Sequence, residues 1–408
     1  MKHIVLISRI AGGLLFLFSG FVKGIDPIGS QVKFGDYFIA AGADVPEIIL
    51  LIMAMALCFA EFMIGLLLIT GWLYRYAVYG YAIFMGLFTP LTLIIAIFDP
   101  VSDCGCFGDA IIMSNWETFF KNLLFIIPAV IMVQGIRKEK AEGTGFKNIT
   151  ETTLASLLFI LFMVWNLIYL PIIDFRPYSI GVNIEEAMSI PPDAPQAVYD
   201  IRLVYEREGQ KREFTLDDYP ADDTSWVFVE QIVKVIEEGY TPPITSFEFI
   251  SPNESNETYR VLQSPGYVLL MIVPDLEKAG SGRVERGISA GKAASENGIG
   301  FWLVTSTTGS LLEQYRESTD VLLADQITLK TIVRTNPGYL LLREGTIVAK
   351  WSYASLPAEE WFSGSLTGKR VGELNRYRQG VILALFVAIS VIAIFIARRH
   401  RRCGHNSK

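Results

Sequence analysis

Residues 91–109, LTLIIAIFDPVSDCGCFGD, place two cysteines one residue apart, shortly after a long apolar run. A second apolar run follows at 119–134, so Cys104 and Cys106 lie in a short polar break between two apolar segments. The flanking runs are long enough, or nearly so, to cross a hydrocarbon core of ~30 Å at about 1.5 Å per residue. This stretch therefore predicts a helical membrane protein with two thiols close to one membrane surface.

The composition of the whole chain also favours a membrane protein. Of its 408 residues, 51% are hydrophobic and only 19% are charged, and the mean hydropathy is +0.38. Soluble proteins of this size carry more charge. The net charge of −7 leaves no broad basic surface, so nucleic-acid binding is not predicted. His3, His400 and His405 lie at the chain ends, so no histidine-based metal or catalytic site is expected.

Six apolar runs are predicted to cross the membrane: 4–22, 47–71, 76–98, 119–134, 153–173 and 379–397. Basic residues occur in alternate links, at Arg75, within 135–152 and within the tail 398–402. Because cytoplasmic loops carry an excess of Lys and Arg, both termini are predicted to lie in the cytoplasm, with the chain in a bacterial inner membrane. The Cys pair and the long segment 174–378 then face the extracytoplasmic side, where thiols are commonly oxidised.

The expected fold class is an α-helical membrane protein, a four-helix bundle with two further spans, that carries an extracytoplasmic α/β domain. Strands are predicted at 197–205, 214–216, 267–273, 300–304, 321–323, 338–342 and 346–351. The predicted segments are the bundle (1–135), a basic cytoplasmic link (136–152), the fifth span (153–173), a β-rich segment (174–244), the α/β domain (245–378), the sixth span (379–397) and a basic cytoplasmic tail (398–408).

Within the α/β domain, the order strand–helix–strand–helix–Asn336-Pro337–hairpin resembles the thioredoxin fold over about 245–360. The resemblance implies that Asn336 and Pro337 border a substrate groove, with Pro337 at the position of a cis-proline. Where thioredoxins carry Cys-x-x-Cys, this chain has Pro-Asp-Leu-Glu at 274–277, and the domain contains no cysteine. Without a thiolate it cannot exchange disulfides itself. Binding of a client protein in the groove and a purely structural remnant are both open interpretations.

The Cys104–Cys106 pair allows three interpretations. A Cys-x-Cys disulfide closes a very small ring, and its strain favours an exchangeable bond over a permanent one. Lys23 and Lys121 are expected at the same membrane face, where they would lower a thiol pKa. The alternatives are a structural disulfide or packed thiols, and a two-thiolate site for a soft ion such as Cu(I). Redox exchange is preferred, and no metal site is predicted.

Two charged residues, Arg9 and Glu61, lie inside the first and second apolar runs. A lone charge near the middle of a span costs ~2.5–3.5 kcal/mol on insertion scales, so each should face the bundle and find a partner. Because the two runs are antiparallel, both residues are expected at similar depth. The sequence therefore predicts an Arg9–Glu61 ion pair, which either sets the helix register or takes part in proton relay or quinone contact.

The membrane part resembles the DoxX family and, within it, MauE-like membrane proteins of methylamine utilisation, over about 1–135. The resemblance rests on three patches: Arg9, Gly12-Gly13, Phe18–Lys23 and Asp26-Pro27; Glu61, Gly65 and Gly71; and Asp103–Gly108 with Lys121-Asn122. It implies a link to redox metabolism or to disulfide handling during maturation of extracytoplasmic proteins.

The function predicted from these features is redox or thiol–disulfide exchange by Cys104 and Cys106, with catalytic turnover left open. A quinone is the candidate cofactor, and the predicted partners are membrane lipid and an extracytoplasmic client or thiol protein. The alternative is a non-enzymatic membrane assembly or maturation protein whose outer domain binds a client and whose Cys pair is structural.

Overall fold

The computed structural model describes residues 2–101, 103–138, 149–221, 223–237 and 239–363, together with Leu366 and Gly380. The chain divides into two compact units, one formed by Met1–Val182 with Glu248–Lys408 and the other by Asn183–Phe247. The predicted sixth span (379–397, apart from Gly380), the basic tail 398–408 and most of the basic link lie outside the described residues.

The first unit begins with six helices: α1 (Lys2–Ile25), α2 (Pro27–Ala40), α3 (Glu47–Thr70), α4 (Tyr74–Phe98), α5 (Asn115–Lys138) and α6 (Ile149–Tyr169). All except α2 are long enough and apolar enough to cross a membrane. They correspond to the first five predicted spans. A multi-pass membrane protein follows from these five helices.

Helices α1 and α3 pack closely because glycines remove side chains from their contact. A Cβ atom on Gly20 would lie 2.7 Å from the Cα atom of Phe62, and one on Gly65 would lie 2.7 Å from the Cα atom of Leu17. In both places the obstacle is backbone, which cannot rotate away. Small residues at helix crossings allow this approach in membrane bundles, and the crossing fixes the register of α1 against α3.

The second unit contains a short helix, α7 (Ile184–Met188), and the strands β1 (Val198–Arg207), β2 (Gln210–Thr215) and β3 (Val227–Glu237). They form an antiparallel sheet in the order β2-β1-β3. Strand β1 corresponds to the predicted run 197–205, the predicted run 214–216 overlaps only the end of β2, and β3 was not predicted individually.

The first unit ends in a five-stranded sheet made of β4 (Tyr267–Val273), β5 (Gly300–Thr305), β6 (Val321–Leu323), β7 (Gly338–Arg343) and β8 (Thr346–Ser352). Its order is β6-β5-β4-β7-β8; β4 to β6 are parallel, and β7 and β8 are antiparallel to their neighbours. The accompanying helices are α8 (Thr258–Leu262), α9 (Leu276–Ala279), α10 (Ser281–Glu296), α11 (Ser310–Arg316) and α12 (Gln326–Ile332). We call this part the sheet domain.

The chain leaving α6 is anchored to the sheet domain by buried charges. Asp174 lies 2.6 Å from the Lys350 ammonium and 2.8 Å from Nε of Arg176. Arg176 also donates to the carbonyl oxygen of Thr331 at 2.6 Å. The two cations hold the pKa of Asp174 below its usual value against the opposing effect of burial. This cluster places the sheet domain at the end of the bundle where α6 ends.

Candidate functional site

The loop between α4 and α5 holds the two cysteines in a fixed conformation. Gly105 and Gly108 have φ angles of +65° and +53°, a region that favours glycine. The Asp103 carboxylate accepts a hydrogen bond from the backbone N–H of Gly105 at 2.9 Å. At the far end, the Asn115 amide donates to the Asp99 carboxylate and to the Val101 carbonyl, both at 2.7 Å. These contacts define the Cys loop, residues 99–115.

The two sulfur atoms of the Cys loop lie 3.4 Å apart as free, half-buried thiols. Their backbone is held from neighbouring helices. The Tyr37 hydroxyl of α2 donates to the Cys104 carbonyl at 3.1 Å. The Ser19 hydroxyl of α1 lies 2.7 Å from the Cys106 carbonyl. The conformation of the loop therefore does not depend on a bond between the sulfurs.

The two thiols differ in acidity. The hydrogen bond from Cys104 lowers the pKa of Cys106 to about 6, against the opposing effect of burial, and the Lys121 and Lys23 ammonium groups add to the lowering. Donating that hydrogen bond, together with burial, raises the pKa of Cys104. At neutral pH, Cys106 is thus the thiolate and Cys104 the thiol. The predicted lysines, Lys23 and Lys121, both lie close enough to act on this pair.

A buried ion pair lies beneath the Cys loop. The Lys23 ammonium of α1 lies 2.5 Å from the Glu61 carboxylate of α3. Ser19 lies 2.9 Å from the same carboxylate, so its hydroxyl can donate either to Glu61 or to the Cys106 carbonyl. Ser19 thereby connects the charged pair in the bundle to the backbone of the loop.

The predicted Arg9–Glu61 pair is not the one that forms, because Glu61 pairs with Lys23. The close α1–α3 crossing puts Ser19 opposite Glu61 and Arg9 opposite Gly71, where a Cβ would lie 3.4 Å from the guanidinium. Gly71 is ten residues, or about 15 Å of helix, beyond Glu61. Arg9 instead lies 5.6 Å from the ring centre of Tyr74.

A cavity of about 360 Å³ opens beside the thiols, within the ~300–1,000 Å³ range of small-molecule sites. Polar groups surround its end at the Cys loop: Lys23, Lys33, Tyr37, Lys121 and Asn122. Apolar side chains form most of its wall, among them Phe16, Leu57, Phe84, Phe88, Leu91 and Ile95. The cavity is therefore amphipathic, with both cysteines in its lining.

The sheet domain docks onto the same end of the bundle. Arg334 lies 2.8 Å from Asp26, the residue between α1 and α2, and 3.3 Å from Asp109 of the Cys loop. At the rim, Glu47 of α3 lies 2.8 Å from Lys330 and 3.1 Å from Lys278. Arg334 thus joins the sheet domain to the Cys loop through two carboxylates.

The predicted groove residues lie three positions or fewer beyond Arg334. The Asn336–Pro337 peptide bond is cis. The Asn336 amide donates to the Asp275 carbonyl at 2.6 Å, so this side chain crosslinks the 274–277 turn within the domain. Neither Asn336 nor Pro337 is among the residues that line the bundle cavity.

Helix α2 lies between the first two predicted spans, 4–22 and 47–71, where no element was predicted, and its contribution to the site was therefore missed. Lys33 of α2 lies 2.5 Å from Asp103, and Tyr37 binds the Cys104 backbone. A signal was present in Asp26-Pro27: an aspartate N-cap followed by proline at the first helical position is typical of a helix start. Asp26 does cap α2, accepting from the backbone N–H of Gly29 at 2.9 Å.

The geometry can be compared with known families. Residues 1–134 match the family model of methylamine utilisation protein MauE. The MauE-like region is about a third of the chain and contains α1 to α4 and most of α5, the Cys loop, the Lys23–Glu61 pair and the cavity wall. A second model, Domain of unknown function (DUF8463), matches residues 199–238 in the second unit. No curated protein and no solved structure matched the chain.

In the part of the chain that the structure describes, no group of three or more His, Cys, Asp or Glu residues has the arrangement of a metal site. The groups that the MauE-like region does assemble are thiols, ammonium groups and one buried carboxylate. Ammonium groups beside a thiol stabilise its thiolate, which is the reactive form of cysteine.

Proposed function

We propose that the protein is a membrane-bound thiol–disulfide exchange factor in which Cys104 and Cys106 alternate between a dithiol and a disulfide. The observation that carries this proposal is the pair of free sulfurs, 3.4 Å apart, beside an amphipathic cavity. An S–S bond of ~2.05 Å requires the sulfurs to move closer, and both are half-buried and free of other bonds.

The acidity difference assigns separate roles to the two cysteines. In the oxidised state, a client thiolate attacks one sulfur, forms a mixed disulfide and releases the other sulfur as a thiolate. Because the thiol of lower pKa leaves faster, Cys106 is the leaving group and Cys104 receives the client. A second client thiolate then attacks the client sulfur of the mixed disulfide and releases Cys104. The client gains a disulfide, and the pair gains two electrons.

Lys121 and the Lys23–Glu61 pair support these roles from different directions. The Lys121 ammonium lies 4.4 Å from the ring centre of Phe107, next to Cys106 in sequence. It therefore places positive charge beside the departing thiolate. Lys23, Glu61 and Ser19 act as positioning residues, because Ser19 lies within hydrogen-bond distance of both Glu61 and the Cys106 carbonyl.

The proposed function also implies on which side of the membrane the Cys loop lies and what the sheet domain does. Arg75 lies in the first turn of α4, at the bundle end opposite the Cys loop, and Arg137 lies at the end of α5 on that same side, so the positive-inside rule favours an extracytoplasmic Cys loop in a bacterial inner membrane. The strand order of the sheet domain, with parallel strands β4 to β6 followed by an antiparallel hairpin, supports a thioredoxin-like fold. Its role is to cover the Cys loop and receive a client, not to exchange disulfides.

The alternative function is a non-enzymatic assembly or maturation protein with a structural Cys pair. If Cys104 and Cys106 were a structural pair, the conformation of the Cys loop should depend on them. The hydrogen bonds to the Cys104 and Cys106 carbonyls and the Lys33–Asp103 pair already hold that shape. The contacts therefore favour exchange at sulfur.

The test is thiol trapping in intact cells. Free thiols are alkylated with and without prior reduction, and Cys104 and Cys106 are quantified by mass shift. We expect a mixture of dithiol and disulfide whose ratio changes with respiratory state, while the buried Cys58 stays a thiol throughout. A pair that is permanently oxidised or permanently free under every condition would instead establish the structural alternative.

A further inference from the structure

The proposed exchange cycle leaves the reduced pair with two electrons that must pass to an acceptor, and the structure indicates where that acceptor binds. Cys104 and Cys106 both line the amphipathic cavity. A molecule in the polar end of the cavity therefore lies beside the two cysteines. The cavity wall is apolar, which favours an acceptor dissolved in the membrane over one dissolved in water.

The polar end of the cavity suits a group with carbonyl oxygens. In the described part of the chain, the Lys121 ammonium has no carboxylate partner and lies over the Phe107 ring, so its N–H groups remain available to an oxygen atom. Asn122 and Thr92 line the same cavity, and the Asn122 amide donates to the Thr92 hydroxyl at 3.2 Å. Aromatic walls from Phe84 and Phe88 suit a flat ring.

The cavity also reaches the surface of the bundle. Two of its lining residues, Met53 of α3 and Leu91 of α4, are 37% and 46% exposed. On a membrane-spanning bundle that surface faces lipid. An apolar tail attached to a ring at the Cys loop can therefore extend along the cavity into the bilayer.

We propose that this cavity binds an isoprenoid 1,4-quinone, with the ring beside Cys104 and Cys106 and the tail directed towards Met53 and Leu91. This inference rests on the proposed exchange function and names its electron acceptor. In each turnover the Cys104 S–H bond breaks, the Cys106 thiolate is oxidised together with it, and the Cys104–Cys106 bond forms. Two electrons pass to the ring with two protons, one from Cys104 and one from water, and the two carbonyl oxygens of the ring become the hydroxyls of a hydroquinone.

The test uses the full-length protein in phospholipid nanodiscs, reduced beforehand and kept without oxygen. Decylubiquinone is added, the loss of free thiols at Cys104 and Cys106 is followed by alkylation and mass shift, and hydroquinone is followed by absorbance. Parallel arms use a short-tailed menaquinone and the tail-less ring 2,3-dimethoxy-5-methyl-1,4-benzoquinone. They distinguish a benzoquinone from a naphthoquinone source and measure the contribution of the tail. Oxidised glutathione serves as an acceptor that does not need the cavity.

A matched pair of variants locates the reaction. Leu57→Trp fills the cavity, because Leu57 lines it, whereas Leu87→Trp adds the same bulk at a side chain that is 64% exposed outside that lining. We expect one hydroquinone per disulfide in the wild type. Leu57→Trp should slow oxidation by decylubiquinone at least tenfold and change oxidation by glutathione less than twofold. Leu87→Trp should match the wild type with both oxidants.

The outcomes separate this inference from the function on which it rests. Oxidation by glutathione but by no quinone would overturn the quinone acceptor and leave the exchange function standing. Equal quinone rates in Leu57→Trp and wild type would overturn the cavity as the site. Native mass spectra in which a phospholipid stays bound to the protein at saturating quinone would also overturn the cavity as the quinone site. A pair that no oxidant converts would overturn the exchange function and the acceptor together.

Discussion

Cys104 and Cys106 are the same residue type two positions apart, yet their surroundings make them chemically unequal. Cys106 lies near two ammonium groups, whereas the Cys104 backbone is held by a neutral phenol. Two thiolates 3.4 Å apart would repel each other, so the shared proton stays on Cys104. One nucleophile and one proton donor result from a sequence that is nearly symmetric about Gly105.

This inequality predicts the pH dependence of labelling. Above a pH of about 6, Cys106 is a thiolate and should react with iodoacetamide, and its rate should fall as the pH falls through that value. Replacing Lys121→Gln removes a positive charge that stabilises the thiolate, so the midpoint should move to higher pH. Peptide mass spectrometry after timed labelling measures each cysteine separately. Faster labelling of Cys104 than of Cys106 at neutral pH would contradict the assignment.

The Lys23–Glu61 pair predicts a specific pattern of folding defects. Its side chains are 5% and 11% exposed, so Glu61→Gln leaves a buried ammonium without its counter-charge, at a cost of about 3–5 kcal/mol. We expect a marked loss of monodisperse protein after detergent extraction. Adding Lys23→Met to Glu61→Gln removes the orphaned charge and should restore part of the yield. Full yield of Glu61→Gln alone would show that the pair does not support the fold.

At the residue scale, the structure brings together most of the residues that the sequence selected, but it does not give each of them its predicted partner. The Cys pair, Lys23, Lys121 and Glu61 could all be found from residue type and from counting along apolar runs. Counting residues along an apolar run gives the depth of a side chain in the membrane only to within a few residues. The choice between Arg9 and Lys23 as the partner of Glu61 depends on the register of α1 against α3. That register comes from glycine contacts between segments far apart in sequence, which no local pattern reveals.

The elements themselves follow largely from local patterns. Five long apolar runs form α1 and α3 to α6, and short apolar runs form β4 to β8, because length and hydrophobicity decide these elements without distant partners. Strand β3 was harder to predict: its sequence forms an edge strand with every residue exposed, so no buried face imposes an alternating pattern. Helix α2 is short and amphipathic, and only its Asp-Pro start distinguishes it from a loop.

The α1–α3 crossing predicts which glycines tolerate a methyl group. In Gly20→Ala the new Cβ meets the Phe62 backbone and lies 2.8 Å from the Cys58 carbonyl oxygen, so we expect a loss of about 1–3 kcal/mol from overpacking. Gly86→Ala in α4 is the matched control, because nothing lies within 4 Å of its Cβ position. Removing a helical glycine there should leave stability unchanged or raise it by up to about 1 kcal/mol.

Thermal unfolding in detergent compares these variants directly. The Gly20→Ala midpoint should fall below that of the wild type, and the Gly86→Ala midpoint should not. If both variants have the same unfolding midpoint as the wild type, α1 and α3 can separate at the crossing without loss of stability. The glycine contacts would then not set the register.

Within the first unit, the bundle and the sheet domain are joined by ion pairs that contribute unequally to stability. Glu47 and Lys278 are 47% and 61% exposed, and exposed pairs contribute about 0–1 kcal/mol. Arg334 and Asp26 are only 7% and 15% exposed, so breaking their pair leaves a charge without solvent. Asp26 also caps α2, the helix that holds the Cys104 backbone through Tyr37. The docking of the sheet domain is therefore coupled to the conformation of the Cys loop.

This coupling predicts that Arg334→Gln loosens the Cys loop at a distance, whereas Glu47→Gln does not. Without the guanidinium, the Asp26 and Asp109 carboxylates lose their shared partner, and both the start of α2 and the loop should open more often. Backbone amides within 103–110 should exchange with deuterium at least tenfold faster in Arg334→Gln, as measured by mass spectrometry. In Glu47→Gln the same peptides should exchange within twofold of the wild type. Equal protection in both variants would mean that the sheet domain and the Cys loop are energetically independent.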